Sequence, residues 1–361
     1  MGVCGLKAMI MAAGVGSRLM PLTLDIPKPM VPMANRPLME IIVDLLAEHG
    51  ISEMIANLHY HADAIEDYFG DGKRFGVSMS YSPEKELMGT AGGVKLCEWF
   101  LDDTFIIVSG DALTDIDLSA LVAEHRAQGA LATIALKEVR EVEQFGVVVC
   151  DEKGRIERFQ EKPRPEEALS NLANTGIYVF EPEIFKYIPA KQFYDFGKQV
   201  FPQLVKLGAP FYGACIDSYW CDIGSLGTYH QAHMDILSGK LGVEPSGDVL
   251  RTASGDLVLL GEDVSIGDDV SFSGQVVIGP GCSLEGNIRV ENSVLWENVQ
   301  VASGTVIKNA LIGSDCHLGS QVRVEAGSAI ASGCYLEQGV AVAKNTRVFR
   351  SRDGVMKLDQ G

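Results

Sequence analysis

From Val264 onward, apolar residues recur every six positions. One column runs through Ile266, Phe272, Ile278, Leu284, Val290 and Trp296, and a second, two residues earlier, runs through Val264, Val270, Val276, Cys282, Ile288 and Val294. After Trp296 the spacing slips by one to Val301, continues to Ile307, slips again to Ile312, and resumes through Leu318, Val324, Ile330, Leu336, Val342 and Val348. A sustained six-residue period predicts a parallel β-helix. Each hexad supplies one flat face of a coil and cannot bury its apolar row until neighbouring coils stack on it. With three hexads per turn the run makes roughly five coils. A Greek-key sandwich would not hold this period over so long a stretch. Gly267, Gly279, Gly313 and Gly319 directly follow column residues, where a corner with unusual backbone angles is expected.

Before that region the pattern is different. Residues 7–240 alternate strand-like apolar runs with helix-like amphipathic segments. Strands are expected over 7–12, 53–58, 77–81, 104–109, 130–137 and 147–151. Helices are expected over 38–49, 60–69, 91–101 and 118–128, with Asn35 a plausible N-cap of the first and Gly50 its stop. This rhythm predicts an α/β domain with a mixed, largely parallel Rossmann-like sheet, in which ligands sit at the carboxyl ends of strands. The composition changes near Gly242, so two domains are expected, 1–242 and 243–361, in keeping with a 361-residue chain.

Bulk composition narrows the function classes. The net charge of −18 opposes binding to nucleic acid and to anionic membrane surfaces, so a polyphosphate would have to be held by a local basic cluster. The eight cysteines, Cys4, Cys97, Cys150, Cys215, Cys221, Cys282, Cys316 and Cys334, contain no C-x-x-C pair, which argues against a zinc site or a disulfide framework. No run of 18 apolar residues or signal-like start occurs, and Met1-Gly2 lacks Ser or Thr at position 6 for myristoylation. A cytoplasmic protein is expected.

The densest candidate chemistry lies at 12–29, Ala-Ala-Gly-Val-Gly-Ser-Arg-Leu-Met-Pro-Leu-Thr-Leu-Asp-Ile-Pro-Lys-Pro. The strand 7–12 ends in small residues and two glycines, where backbone N–H groups can approach an anion. Arg18 can fork two phosphate oxygens, whereas Lys28 offers a point charge. The segment is not a dinucleotide fingerprint, because Leu19 occupies the third glycine position and Pro21, Pro27 and Pro29 exclude a crossover helix. Nor does it fit the P-loop pattern. On the glycines alone, a structural turn and a phosphate loop remain open.

Further along, Gly110-Asp111 closes a very apolar strand, and Asp222 lies in Trp220-Cys-Asp-Ile-Gly224. Two aspartates beside a phosphate loop meet the usual requirement of magnesium, which takes one or two carboxylates plus substrate phosphates. Glu161-Lys162-Pro163 sets a lysine beside a rigid turn, and Asn174-Thr-Gly176 sets an amide beside a glycine that could admit a sugar ring. His230 and His233 are spaced i, i+3 on a helix pattern with no third metal ligand in the sequence, and read as a polar helix face.

In this order, Ala12-Ala-Gly-Val-Gly-Ser-Arg-Leu19, Pro27-Lys-Pro29, Leu87-Met-Gly-Thr-Ala-Gly92, Gly110-Asp111, Glu161-Lys-Pro163, Asn174-Thr-Gly176 and Trp220-Cys-Asp222 resemble the motifs of sugar-1-phosphate nucleotidyltransferases. The likeness is nearest to the mannose-1-phosphate guanylyltransferase branch, with Met88 where that motif commonly has Leu or Pro. It spans essentially the whole chain, since many members carry a C-terminal left-handed hexapeptide β-helix.

The resemblance implies attack of a sugar-1-phosphate on the α-phosphorus of a nucleoside triphosphate, with GTP and mannose-1-phosphate expected first. UTP or dTTP with glucose-1-phosphate, or GTP with heptose-1-phosphate, are the alternatives. By motif, Ala13, Gly14, Gly16, Ser17 and Arg18 would hold the triphosphate, and Glu84, Gly89 and Thr90 would lie at the nucleoside. Lys28 would neutralise charge at the α-phosphate. Asp111 and Asp222 would hold Mg2+, and Lys162 would orient the sugar phosphate. Gly146, Glu161, Asn174 and Gly176 would line the sugar pocket, with Lys198 a secondary contact. Arg18, Lys28, Asp111 and Lys162 carry the catalytic expectation.

Two other classes are disfavoured on the same residues. A non-catalytic regulatory homologue should have lost the Arg18, Lys28, Asp111 or Lys162 types, yet all four are present. Acyl transfer by the β-helix would call for a histidine base, and His317 is the single histidine of the repeats. The β-helix is instead expected to mediate homo-oligomerisation or regulation.

Overall fold

The computed structural model describes residues 5–350 and 356–360, so Met1, Gly2 and Cys4 lie outside the described residues. Contacts group the chain into two compact units: Met1–Gly14 with Ile42–Asp222, and Val15–Ile41 with Ile223–Gly361. This grouping differs from a single division near Gly242, because 15–41 is counted with the C-terminal half.

The first unit is built on a nine-stranded sheet. Lys7–Met11 lies between Phe105–Ser109 and Glu53–Leu58, parallel to both, and Ser78–Pro83 continues the parallel series. Ala8, Met9 and Ile10 are wholly buried, as a strand covered on both faces requires. On the other side the sheet turns antiparallel through Leu172–Phe180, which pairs with both Phe105–Ser109 and Ala132–Glu138. The apolar pattern does not predict this long strand: its turn-like Asn174-Thr-Gly176 interrupts the pattern, and the ladder to Ala132–Glu138 is irregular between Asn174 and Tyr178.

Helices Leu38–Glu48, Ala62–Phe69, Gly89–Leu96 and Leu118–Gln128 belong to the expected alternation. The last is delimited by local chemistry. Asp117 accepts a bond from the Ala120 N–H at 2.9 Å, and Gly129 follows with φ +57°. The helix expected over 91–101 ends at Leu96. Asn35 is not an N-cap: with φ +66° it turns a short hairpin between Pro32–Met33 and Arg36–Pro37, and its amide donates to the Ser246 and Ile278 carbonyls.

The C-terminal part of the second unit is a three-sided parallel β-helix. Two of its sheets have five strands each, and the third has eight, with antiparallel edge strands Asp248–Arg251 and Met356–Gln360. Ile266, Leu284, Val301, Leu318 and Leu336 stack in register on one face. On the third face Ile278 aligns with Leu295, not Trp296, and Leu295 with Ile312. The first slip of the repeat therefore falls before Leu295. Trp296 takes the corner that glycine holds in the adjacent coils at Gly279 and Gly313.

Those corner glycines are required by close stacking rather than by backbone angle. A Cβ on Gly279 would lie 2.4 Å from the Trp296 carbonyl carbon, and one on Gly313 would lie 2.6 Å from the Ser332 nitrogen. The left-handed corners fall elsewhere, at Asp263, Asp269, Asn287, Asn298 and Asp315 among others, residue types that tolerate that region.

His233 corrects the polar-face reading of its helix. It is fully buried on Leu226–Leu237, beside the Tyr229 ring, with Nδ1 accepting from the Ala34 N–H at 3.3 Å. His230 contacts the Asn292 carbonyl at 2.6 Å. Burial, aided by His230, lowers the His233 pKa to about 3. The unfolded chain then binds the proton more readily below its own pKa of about 6.5, so stability falls as pH drops from there toward 3. Denaturant titrations between about pH 7.5 and about pH 5 should show this loss, and His233→Gln should flatten it; an unchanged slope would refute the assignment.

Candidate active site

Two cavities open at the carboxyl ends of the central strands of the first unit. The larger, about 350 Å³, is lined by Ala13, Gly14, Asn57, Glu84, Gly89 and Thr90, with Ser109 and Asp111 at one side. The smaller, about 190 Å³, is lined by Gly146, Glu161, Lys162, Asn174, Gly176 and Asp222, again with Ser109 and Asp111. Asp111 therefore borders both. No histidine lines either cavity.

Strand register explains the larger cavity. Met11 sits opposite Asn57 on one side and Ser109 on the other, so these three chain ends converge. Asn57 accepts the Ala12 N–H at 2.9 Å and donates to Glu84 at 2.7 Å, and the other Glu84 oxygen takes the Met88 N–H at 2.9 Å. A Cβ on Gly93 would stand 2.5 Å from that carboxylate, so the glycine makes its seat. Gly89 has φ +75°. The Thr90 hydroxyl accepts the Phe196 N–H at 2.9 Å, and the Thr90 N–H donates to Asp195 at 3.0 Å.

The smaller cavity is set by a second register. Ala112–Thr114 pairs antiparallel with Trp220–Asp222, placing Asp222 opposite Ala112 and hence next to Asp111. Ser109 donates its hydroxyl proton to Asp111 at 2.6 Å. Glu161 lies over two glycines: a Cβ on Gly146 would be 3.0 Å from its Oε2, and one on Gly197 would be closer still at 2.3 Å. Desolvation raises the Glu161 pKa, against the opposing charges of Lys162 and Lys198. Lys162 follows the strand with φ +47°, its N–H donating to the Phe145 carbonyl at 3.1 Å. Asn174 is partly committed, donating to the Tyr178 hydroxyl and accepting the Gly176 N–H. One amide hydrogen and one lone pair remain for a ligand.

Lys198 lines neither cavity; its ammonium lies 3.7 Å from Asp195. Gly16, Ser17, Arg18 and Lys28 belong to the segment Val15–Ile41 of the second unit. Gly16 has φ +68°, and a Cβ there would stand 2.8 Å from Lys28 Cβ, so Gly16 is the residue that admits the lysine. Thr23 ties to the Gly16 carbonyl at 2.9 Å. Lys28 opens a short turn between Pro27 and Pro29 and is 6% exposed, whereas Ser17 and Arg18 are exposed.

Sequence reasoning overlooked Asn57, Ser109, Phe145 and Phe193. For Asn57 a signal existed, an amide at the end of an otherwise apolar strand. The ring contact of Phe145 with Trp220, 5.3 Å between centroids, has no local sequence signal.

Residues 7–239 match the nucleotidyl transferase family, and 250–342 match the LbH domain of EIF2B subunit epsilon. The chain belongs to the sugar-1-phosphate nucleotidyltransferases, with a mixed, largely parallel catalytic sheet followed by a left-handed β-helix. Among its relatives, a UTP–glucose-1-phosphate uridylyltransferase of Synechocystis is 41% identical over 354 residues, covering 93% of this chain and 90% of the relative. A mannose-1-phosphate guanylyltransferase of Mycobacterium tuberculosis is 32% identical over 303 residues, 83% of this chain and 82% of that one. A solved structure of a putative glucose-1-phosphate thymidylyltransferase from Bacillus anthracis matches with TM-score 0.59 and 27% identity, over 66% of this chain and 98% of the other.

Proposed function

We propose that the chain transfers a uridylyl group from UTP to glucose-1-phosphate, releasing pyrophosphate and forming UDP-glucose. Two cavities that share Asp111 carry the reading of a two-substrate transferase. The substrate pair rests on the 41% identity to the uridylyltransferase over 93% of the chain. A sugar-phosphate oxygen attacks the α-phosphorus, its new P–O bond forms, and the α–β bridging bond breaks as pyrophosphate leaves. The nucleophile is already an anion, so the protein's task is positioning and charge stabilisation. Cavities without histidine are consistent with a reaction that needs no general base.

In this reading the larger cavity takes the nucleoside beside Ala13, Gly14, Glu84, Gly89 and Thr90, and the smaller takes the sugar. Lys162 orients the sugar phosphate, with Glu161, Asn174, Gly146 and Gly176 around the ring and Lys198 behind Glu161. Gly16, Ser17, Arg18 and Lys28 serve the triphosphate. The hard-oxygen pair Asp111 and Asp222 fits magnesium, which when bound supplies positive charge to the phosphate oxygens. The catalytic module ends near residue 242 and the remainder mediates homo-oligomerisation in the cytoplasm.

GTP with mannose-1-phosphate is the second reading, favoured by Glu84. Guanine offers two adjacent donors, N1–H and the 2-amino group, which suit a buried carboxylate better than the donor flanked by carbonyls that uracil presents. A matrix of nucleoside triphosphates against sugar-1-phosphates, read by pyrophosphate release, should give its highest kcat/KM for UTP with glucose-1-phosphate. Preference for GTP with mannose-1-phosphate would replace the first reading. Light scattering on the same sample should exceed the 38.9 kDa of one chain; monomer alone would refute oligomerisation.

A further inference from the structure

The larger cavity carries two apolar side chains that water reaches: Leu87 is 41% exposed and Phe193 57% exposed. Phe193 is exposed without being loosely held. The next residue, Tyr194, donates its N–H to the Met88 carbonyl at 2.8 Å and accepts from both the Ala91 and Gly92 N–H groups at 2.9 Å. Two glycines make room for this strap. A Cβ on Gly89 would lie 2.6 Å from the Tyr194 carbonyl oxygen, and one on Gly92 would lie 2.8 Å from the Gln192 carbonyl oxygen. The result is an aromatic ring on a fixed backbone at a cavity whose other walls carry the Glu84 and Asn57 polar groups.

A cavity with an open ring and edge-directed hydrogen-bonding groups suits a planar heterocycle, stacked on its face and bonded at its rim. We propose that Phe193, backed by Leu87, is the stacking platform for the nucleobase of the triphosphate substrate. The assignment rests on reading the larger cavity as the nucleotide side. Stacking is tolerant of base identity because every base offers a π-face. Phe193 therefore sets nucleotide affinity, while the polar groups set which base is chosen.

The test compares parent, Phe193→Ala and Phe193→Trp proteins by steady-state kinetics with the preferred triphosphate and sugar-1-phosphate. Phe193→Ala should raise the KM for the triphosphate about tenfold, as expected for loss of one aromatic–base stack. It should leave kcat, the KM for the sugar phosphate and the melting temperature near parental values, and Phe193→Trp should restore the KM. If the parent turns over and Phe193→Ala has an unchanged triphosphate KM, the assignment falls while nucleotidyl transfer stands. The same holds if the variant changes only the mass seen by light scattering. A parent inactive with every triphosphate and sugar phosphate would remove both.

Discussion

Replacing Asp111 with asparagine should lower kcat about a hundred- to a thousandfold, the effect expected when a preorganised charge-stabilising group is removed from an active site. The substitution is nearly isosteric. The amide oxygen it introduces can still accept the Ser109 hydroxyl, which now donates to Asp111 at 2.6 Å, so the strand end should keep its shape and the melting temperature should move little. What disappears is the negative charge bordering both cavities, next to Asp222 across the Ala112–Thr114 ladder. The informative measurement is turnover across a magnesium titration. A variant with parental kcat at every magnesium concentration would strip Asp111 of its proposed role, and a loss accompanied by a collapsed melting temperature would mean the residue acts through the fold.

Trp296→Ala should have the larger effect on stability, about 3–5 kcal/mol by the usual cost of truncating a buried tryptophan. The indole is 2% exposed and donates to the Tyr229 hydroxyl at 3.0 Å; that hydroxyl in turn donates to the Pro32 carbonyl. Pro32 follows Lys28 in the same segment, which is also tied down by Asn35 to the Ile278 carbonyl and by Leu24 against the coil interior. A hole at Trp296 therefore loosens the segment that carries Lys28, and kcat should fall together with the denaturation midpoint. Tyr229→Phe separates the two contributions, since it keeps the ring and deletes only the relay. Parental turnover in both variants would mean that the relay does not position Lys28.

The coils were legible because a six-residue period repeats one physical requirement many times, and an error in one hexad is corrected by the next. The position of the first slip was not legible. Leu295 and Trp296 are both large and apolar, and only the pairing of Ile278 with Leu295 decides which enters the column. The carboxyl-end placement of Gly14 and Asp111 followed from strand order, as it does in any sheet of this type. Asp222 is different: its place beside Asp111 depends on a three-residue ladder between segments more than a hundred residues apart, and no local pattern encodes that. His233 misled because histidine is usually exposed in helices; its burial follows from Tyr229, one turn away on the same helix, and from Ala34, 199 residues away in sequence.

The grouping of Val15–Ile41 with Ile223–Gly361 bears on protein engineering. A hybrid enzyme assembled by joining two relatives near residue 242 would import a foreign coil stack while retaining a native Lys28 segment, and the seats of Leu24 and Asn35, and of Tyr229 against Trp296, would be mismatched. Grafts that carry both 15–41 and everything from Ile223 onward from the donor keep those seats intact, including Tyr229 against Pro32 and His233 against Ala34. The transplantable part of this molecule is thus discontinuous in the gene, and a single splice point cannot deliver it.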